Sequence, residues 1–343
     1  MIQTKWKSPS NIALVKYWGK HGRQLPRNAS ISFTLHHCHT ITEISIEEKK
    51  VDGQISIDFF FENKKQDQFK SKILSFLNSI LSEMPFLGQF HWHIHSSNSF
   101  PHSAGIASSA SSMSALMACI CDLEKQLGFQ KEGTDFLKRV SYFSRLASGS
   151  ACRSVYPLAA SWGQSNYLPL SSDEYASPFD ADLHIDFHDF HDDVLIVSRN
   201  EKSVSSTVGH NLMHNNPFAD IRYEQADLNM KLMLQALKSG DIEEFGRITE
   251  AEALMLHALM MTSSPSFVLM EPSSLEIIKK VQNFRKETSI PLYFTLDAGP
   301  NVHLLYPHSV EEKVNQFISA ELSQHCDQNQ VIRDFVGKGL EKL

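Results

Sequence analysis

The stretch FPHSAGIASSAS, Phe100 to Ser111, decides how the chain is read. It sets Gly105 and the hydroxyls of Ser103, Ser108, Ser109 and Ser111 between two patterned runs. Before it, His91 to His95 alternates as a strand; after it, Ser108 to Leu127 reads as a helix. Small residues at such a junction let the backbone approach a ligand closely, and the free amides at a helix start favour an anion. The stretch therefore reads as a phosphate loop. It is neither the Gly-x-x-x-x-Gly-Lys-Ser/Thr of a P-loop nor a Gly-x-Gly-x-x-Gly fingerprint. Its plainer alternative is a Gly/Ser turn ahead of a small-residue helix.

Working outward, strand and helix signals alternate along the chain without internal repeats. Thr40 to Ile46 alternates polar with apolar, and Asp52-Gly53 offers a turn before the apolar run Ile55 to Phe61, which together predict a β-hairpin. Helical spacing is expected from Gln66 to Met84 and from Thr134 to Ala147. After a polar, Asp- and His-rich passage, Val194 to Val197 reads as a buried strand, and a domain division is expected there, giving 1–190 and 191–343. Further helices are expected near Asp220 to Lys238, stopped by Gly240, near Ile242 to Met261 and at Val310 to Leu322, with a strand at Leu292 to Leu296. Strands and helices in two layers, twice over, predict an α+β protein.

Composition limits what the loop can serve. A chain of 343 residues exceeds the size at which a single core stops growing, so two domains are expected. No apolar run approaches the length of a membrane span, and the start MIQTKWKSPSN has no apolar signal-peptide core, so a cytoplasmic protein with no membrane partner is expected. Five cysteines, Cys38, Cys119, Cys121, Cys152 and Cys326, fall in no Cys-x-x-Cys spacing and suit free thiols in a reducing compartment. A net charge of −7 argues against a nucleic-acid partner. A phosphate ligand must then meet a local cluster of positive charge.

Three further segments concentrate such chemistry. In SPSNIALVKYWGK, Ser8 to Lys20, a continuous strand would put Lys16, Trp18 and Lys20 on one face; the alternative is an edge strand guarded by lysines. In SGSACRS, Ser148 to Ser154, the guanidinium of Arg153 stands among small hydroxyl residues and suits a bidentate grip on carboxylate or phosphate, unless the serines merely cap a helix. In FTLDAGPN, Phe294 to Asn301, Asp297 lies where a strand meets a turn, suited to base or electrostatic work, or simply to an Asx turn.

The order in which these motifs occur resembles the mevalonate diphosphate decarboxylases of the galactokinase, homoserine kinase, mevalonate kinase and phosphomevalonate kinase (GHMP kinase) superfamily. The resemblance runs through NIALVKYWGK (11–20), LPRNASISFTL (25–35), FPHSAGIASSAS (100–111), SGSACRS (148–154), KSVSSTVG (202–209), EALMLHALMMTSSP (252–265) and LDAGPN (296–301). It implies an N-terminal domain like the second domain of ribosomal protein S5, a C-terminal ferredoxin-like domain, and an active site in the cleft between. It also implies ATP-dependent decarboxylation of mevalonate 5-diphosphate to isopentenyl diphosphate through transient 3-phosphorylation, with ATP as co-substrate, Mg²⁺ as the metal, and a homodimeric assembly.

Residue by residue, the resemblance implies that Asp297 is the carboxylate near the reacting hydroxyl, that Lys16 keeps it ionised, and that Arg153 fixes the substrate carboxylate. Tyr17 and Lys20 match positions that hold the substrate diphosphate, while Asn11, Ser148 and Ser150 fall beside the substrate. Ser103, Gly105, Ser108 and Ser109 would line the ATP phosphates, with Ser109 next to Mg²⁺, and Lys202 and Ser206 match a nucleotide- or diphosphate-contacting loop. Gln24 and Thr207 stand where some relatives carry an asparagine and an arginine.

Other readings remain open at this point. A decarboxylase of mevalonate 5-phosphate would need the same Lys16, Arg153 and Asp297, and a kinase of the superfamily would stop at the 3-phosphate. The histidines and aspartates from His184 to Asp193, with His91, His93 and His95, suggest a metal-dependent hydrolase, but no His-Glu-x-x-His occurs and alternate histidines suit the polar face of a strand. A nucleotide-binding protein without activity would be marked by loss of the lysine or the carboxylate, and both are present.

Overall fold

A computed structural model describes residues 2–49, 53–101, 106, 108–200, 204 and 206–343. It is an α+β structure built on two main sheets, with a two-stranded ribbon of residues 20–21 and 25–26 beside them. The larger sheet is organised by two long antiparallel strands, β1 (Ile2–Val15) and β2 (Ser30–Glu48), paired from Ile2 opposite Ile46 to Val15 opposite Ile31. Their burial explains their place. From Cys38 to Ile46, β2 alternates buried and half-buried residues, as a strand with one covered face must, whereas Ser30 to Leu35 and Ser8 to Val15 are buried without interruption. The doubly buried ends are covered on both sides, and the functional site grows from them.

Strand β3 (Ser56–Phe61), helix α1 (Asp67–Ser79) and strand β4 (Phe90–Asn98) follow. The expected hairpin between residues 40–46 and 55–61 does not form. Strand β4 lies between β2 and β3, antiparallel to the first and parallel to the second, with α1 as the crossover. The alternation of β2 and β3 is satisfied equally by either neighbour, since Ile57 and Phe59 of β3 enter the same core as Trp92 and Ile94 of β4. Helices α2 (Ser108–Gln126) and α3 (Phe136–Ala147) cover that face, and β5 (Ala159–Trp162) pairs with the inner half of β2.

The smaller sheet begins with β6 (His191–Leu195) and continues through helices α4 (Ser206–Leu212), α5 (Ala219–Ser239), α6 (Ile242–Met261) and α7 (Pro272–Thr288), strands β7 (Tyr293–Thr295) and β8 (Val302–Tyr306), and helix α8 (Glu311–Phe317). Its strand order is β7, β8, β6 and β9 (Val331–Ile332). The chain then returns to the larger sheet, where β10 (Glu341–Lys342) pairs with β1. Gly240 closes α5 in a left-handed conformation, as the sequence reading expected, and the Asp241 carboxylate accepts from the Glu244 amide to open α6.

One apolar cluster joins the two sheets. Ile12, Leu14, Ile31 and Phe33 of the long strands pack with Phe187, Phe190, Met230, Met233 and Phe245. Phe33 lies stacked on Phe245 at 5.7 Å.

Candidate active site

Strand β1 stops at Val15, and residues 16–19 leave the sheet as irregular chain. Lys16, Trp18 and Lys20 therefore do not share a strand face, as the sequence reading expected. Gly19 has φ of 90°, a conformation a side chain would strain, and a Cβ there would strike the Tyr223 hydroxyl. The turn it permits delivers Lys16, Tyr17, Trp18 and Lys20 to the wall of one cleft of about 780 Å³.

Asp297 closes the other side of that cleft, two residues past the end of β7. Lys16 Nζ meets Asp297 Oδ1 at 2.9 Å, with the lysine side chain only 2% exposed and the aspartate 27%. The backbone of Lys16 is fixed by a buried network. Its amide donates to Glu252 Oε2 at 2.8 Å, and its carbonyl accepts from Asn28 and Arg222. Glu252 is in turn gripped by Arg222 at 2.6 Å and Asn229 at 2.6 Å. Helices α5 and α6 thus hold a strand end of the other sheet in register with Asp297. His257 of α6 lies 3.1 Å from the Asp297 carbonyl oxygen through its Nε2.

Arg153 lies on the short 3-10 helix Gly149–Val155, fully inside the protein. Its Nε donates to Ser32 Oγ at 3.0 Å, one terminal nitrogen to Ser30 Oγ at 2.5 Å and the other to Asn11 Oδ1 at 3.4 Å. Asn11 is itself oriented by donating to the Ser150 carbonyl and to Ser154 Oγ. No carboxylate of the described residues forms an ion pair with this guanidinium. Burial lowers its pKa from the ordinary arginine value, while the negative charge of Asp297 pulls it the other way.

Tyr17 packs edge-on against Trp162 at 4.7 Å and against His210 at 4.4 Å, and burial raises its hydroxyl pKa above the usual phenol value. His210, on α4, is held between Tyr17 and Trp18 and accepts the Gly19 amide on Nδ1 at 2.9 Å, so its proton sits on Nε2. Burial drives its pKa down to about 3, with Lys20 adding to the effect, and the ring is neutral near pH 7. Lys20 donates to Gln24 Oε1 at 2.9 Å, and partial burial lowers its pKa.

The cleft gathers most of the residues singled out in the sequence: Asn11, Lys16, Tyr17, Lys20, Ser108, Ser109, Ser148, Ser150, Arg153 and Asp297 all line it. Ser109 Oγ lies 3.3 Å from Ser148 Oγ, joining the start of α2 to the end of α3. Ser103, Gly105 and Lys202 lie outside the described residues, as does the side chain of Ser206, while its neighbour Thr207 lines the cleft. Sequence reasoning missed Gln68 and Lys72, which reach the cleft from α1, and His210. No local pattern marks them, because their position depends on how distant elements pack. Lys16, Lys20, Lys72 and Arg153 face a single carboxylate, Asp297, among the described lining residues, so the cleft is built for an anion.

The chain is similar over most of its length to known proteins. Residues 8–176 match the diphosphomevalonate decarboxylase-like N-terminal domain, and residues 194–340 match the mevalonate 5-diphosphate decarboxylase C-terminal domain. The diphosphomevalonate decarboxylase of Danio rerio is 30% identical over an alignment covering 97% of this chain and 82% of that protein. The chain belongs to the diphosphomevalonate decarboxylase family. Among solved family structures, mevalonate diphosphate decarboxylase from Staphylococcus aureus has a TM-score of 0.85 at 28% identity, covering 99% of this chain and 98% of its own. The structure of MDDEF in complex with MVAPP, AMPPCP and magnesium has a TM-score of 0.83 at 28% identity, covering 100% and 99%. Membership carries the whole chain, not one lobe, into this family. Among the described residues no helix is long and apolar enough to cross a membrane.

Proposed function

We infer that the protein catalyses the ATP-dependent decarboxylation of mevalonate 5-diphosphate to isopentenyl diphosphate, with ADP, phosphate and carbon dioxide as the other products. The observation that carries this reading is the buried Arg153 guanidinium, without a carboxylate in ion-pair contact among the described residues, in the same cleft as the Lys16–Asp297 pair. Phosphorylation alone requires only the pair. A cation held ready for a carboxylate beside it suits a reaction that also removes one.

In this reading Asp297 approaches the 3-hydroxyl and draws its proton as the oxygen becomes phosphorylated. Lys16, at 2.9 Å, favours the ionised carboxylate. The 3-phosphate then leaves with its bonding electrons, and the electrons of the breaking carbon–carboxylate bond form the new double bond as carbon dioxide departs. Arg153, positioned by Ser30, Ser32 and Asn11, orients that carboxylate. Lys20, Lys72 and the Tyr17 hydroxyl face the anionic tail, with Ser148 and Ser150 beside the substrate. Ser108 and Ser109, at the start of α2, suit the phosphates of ATP.

The hard oxygen donors Ser109 and Asp297 in a cation-rich cleft fit Mg²⁺ together with nucleotide phosphates. When bound, Mg²⁺ would neutralise charge on the transferred phosphoryl group. The division into 1–190 and 191–343 belongs to the same proposal, supported by the larger sheet being drawn from the first part except for its edge strand β10, and the four-stranded sheet from the second. So does cytoplasmic residence, supported by five unpaired, buried thiols.

The test is ADP and carbon dioxide measured in parallel from mevalonate 5-diphosphate and from mevalonate 5-phosphate. Equal amounts of both products with the diphosphate alone are expected. ADP without carbon dioxide would overturn the reading in favour of a kinase, and turnover of the monophosphate alone would replace the substrate.

A further inference from the structure

We propose that the outer face of the larger sheet carries a site for a divalent transition-metal ion of the zinc class, held by His91, His93 and Asp58. None of the three lines the catalytic cleft.

The strand pattern builds this patch. On β4, Trp92 and Ile94 turn into the core, so His91 and His93 lie together on the opposite face. The parallel neighbour β3 sets Ser56 opposite His91 and Asp58 opposite His93. The antiparallel neighbour β2 sets Glu47 opposite His91. Two strands therefore bring two imidazoles and the Asp58 carboxylate to one spot, although Asp58 and His93 are 35 positions apart in sequence, and Glu47 borders it from the third strand.

The distances fit a metal. His91 Nε2 lies 3.2 Å from Asp58 Oδ2, and His93 Nδ1 lies 3.8 Å from the same oxygen. One ligand atom from each residue falls within 4.8 Å of the others. Two ligands each about 2.1 Å from a tetrahedral zinc ion stand about 3.4 Å apart, which the first two distances bracket. A water would supply the fourth position, since Glu47 Oε1 lies 3.7 Å from His93 Nε2, on the side of the ring turned away from Asp58.

The surroundings orient the ligands. Ser56 Oγ holds His91 Nδ1 at 2.6 Å, which leaves Nε2 aimed at Asp58. On metal binding the Nε2 lone pair goes to the ion and the remaining ring proton sits on Nδ1, donated to Ser56 Oγ. Lys70 approaches the other Asp58 oxygen at 3.9 Å and leaves Oδ2 for the ion. Two nitrogen donors with one carboxylate favour zinc, nickel or copper over magnesium or calcium, which take oxygen ligands.

A second grouping, His191, His308 and Glu311, makes an internal control. There His191 Nε2 and His308 Nδ1 already bond each other at 3.0 Å, and the rings stack. The test is titration of the chelator-treated full-length protein with Zn²⁺ alone at pH 7.5, by calorimetry, with Co²⁺ absorption as a check on geometry. One ion per chain and a tetrahedral Co²⁺ spectrum are expected. Both should weaken at least about tenfold in His93→Gln and in Asp58→Asn, and persist in His308→Gln. His93 is half-exposed, so its variant should retain the fold, and the Asp58 variant provides an independent reading. Absence of stoichiometric binding, unchanged binding in both variants, or loss only in His308→Gln would overturn the proposal.

Discussion

Lys20 shows how a single side chain sets a pH dependence. Partial burial lowers its pKa, so the ammonium is fully charged below that lowered value and loses its charge as pH rises through it, earlier than a free lysine would. Its grip on an anionic substrate should weaken over the same alkaline window. Lys20→Arg, which stays charged throughout, should move the alkaline rise in KM to higher pH; an unchanged profile would show that Lys20 is not the titrating group. His210 cannot supply this behaviour, because with a pKa near 3 it is neutral through that range. It serves instead as a neutral wedge, with Nδ1 taking the Gly19 amide.

At the scale of elements, the 3-10 helix Gly149–Val155 is fitted to its neighbours at one point. A Cβ at Gly149 would come within 2.9 Å of both the Trp162 ring and the Tyr17 hydroxyl. Gly149→Ala should displace Tyr17 and raise KM for the phosphorylated substrate severalfold, with a smaller change in kcat; unchanged KM in steady-state kinetics would mean that Tyr17 does not hold substrate. The same neighbourhood marks the limit of sequence reading. Helix α5 announced its end through Gly240, because capping is local chemistry. The pairing of β2 with β4, instead of β3, was not legible, since alternation says which face is buried and not which strand lies alongside. The motif around Lys16 was legible as chemistry and misread as shape, for its lysines reach the cleft from a turn. Lys72 and His210 lie on helices whose local patterns say nothing about a cleft formed only when both lobes meet.

For the whole molecule, the decisive feature is the aromatic cluster that Phe33 and Phe245 share across the two sheets. Phe33→Ala should cost about 3–5 kcal/mol and lower a single unfolding transition, which calorimetry or fluorescence can follow; two separated transitions would show lobes that melt independently. Asp334 reinforces the joint, accepting the amides of His36, His37 and Cys38 at 2.9, 2.8 and 2.7 Å. The Ser30 and Ser32 hydroxyls that hold Arg153 belong to the same strand as His36 to Cys38. In the proposed reaction the guanidinium attracts the incoming acid, and once that acid has left as carbon dioxide the product offers it no charge to hold, so the neutralised end of the product has no reason to stay.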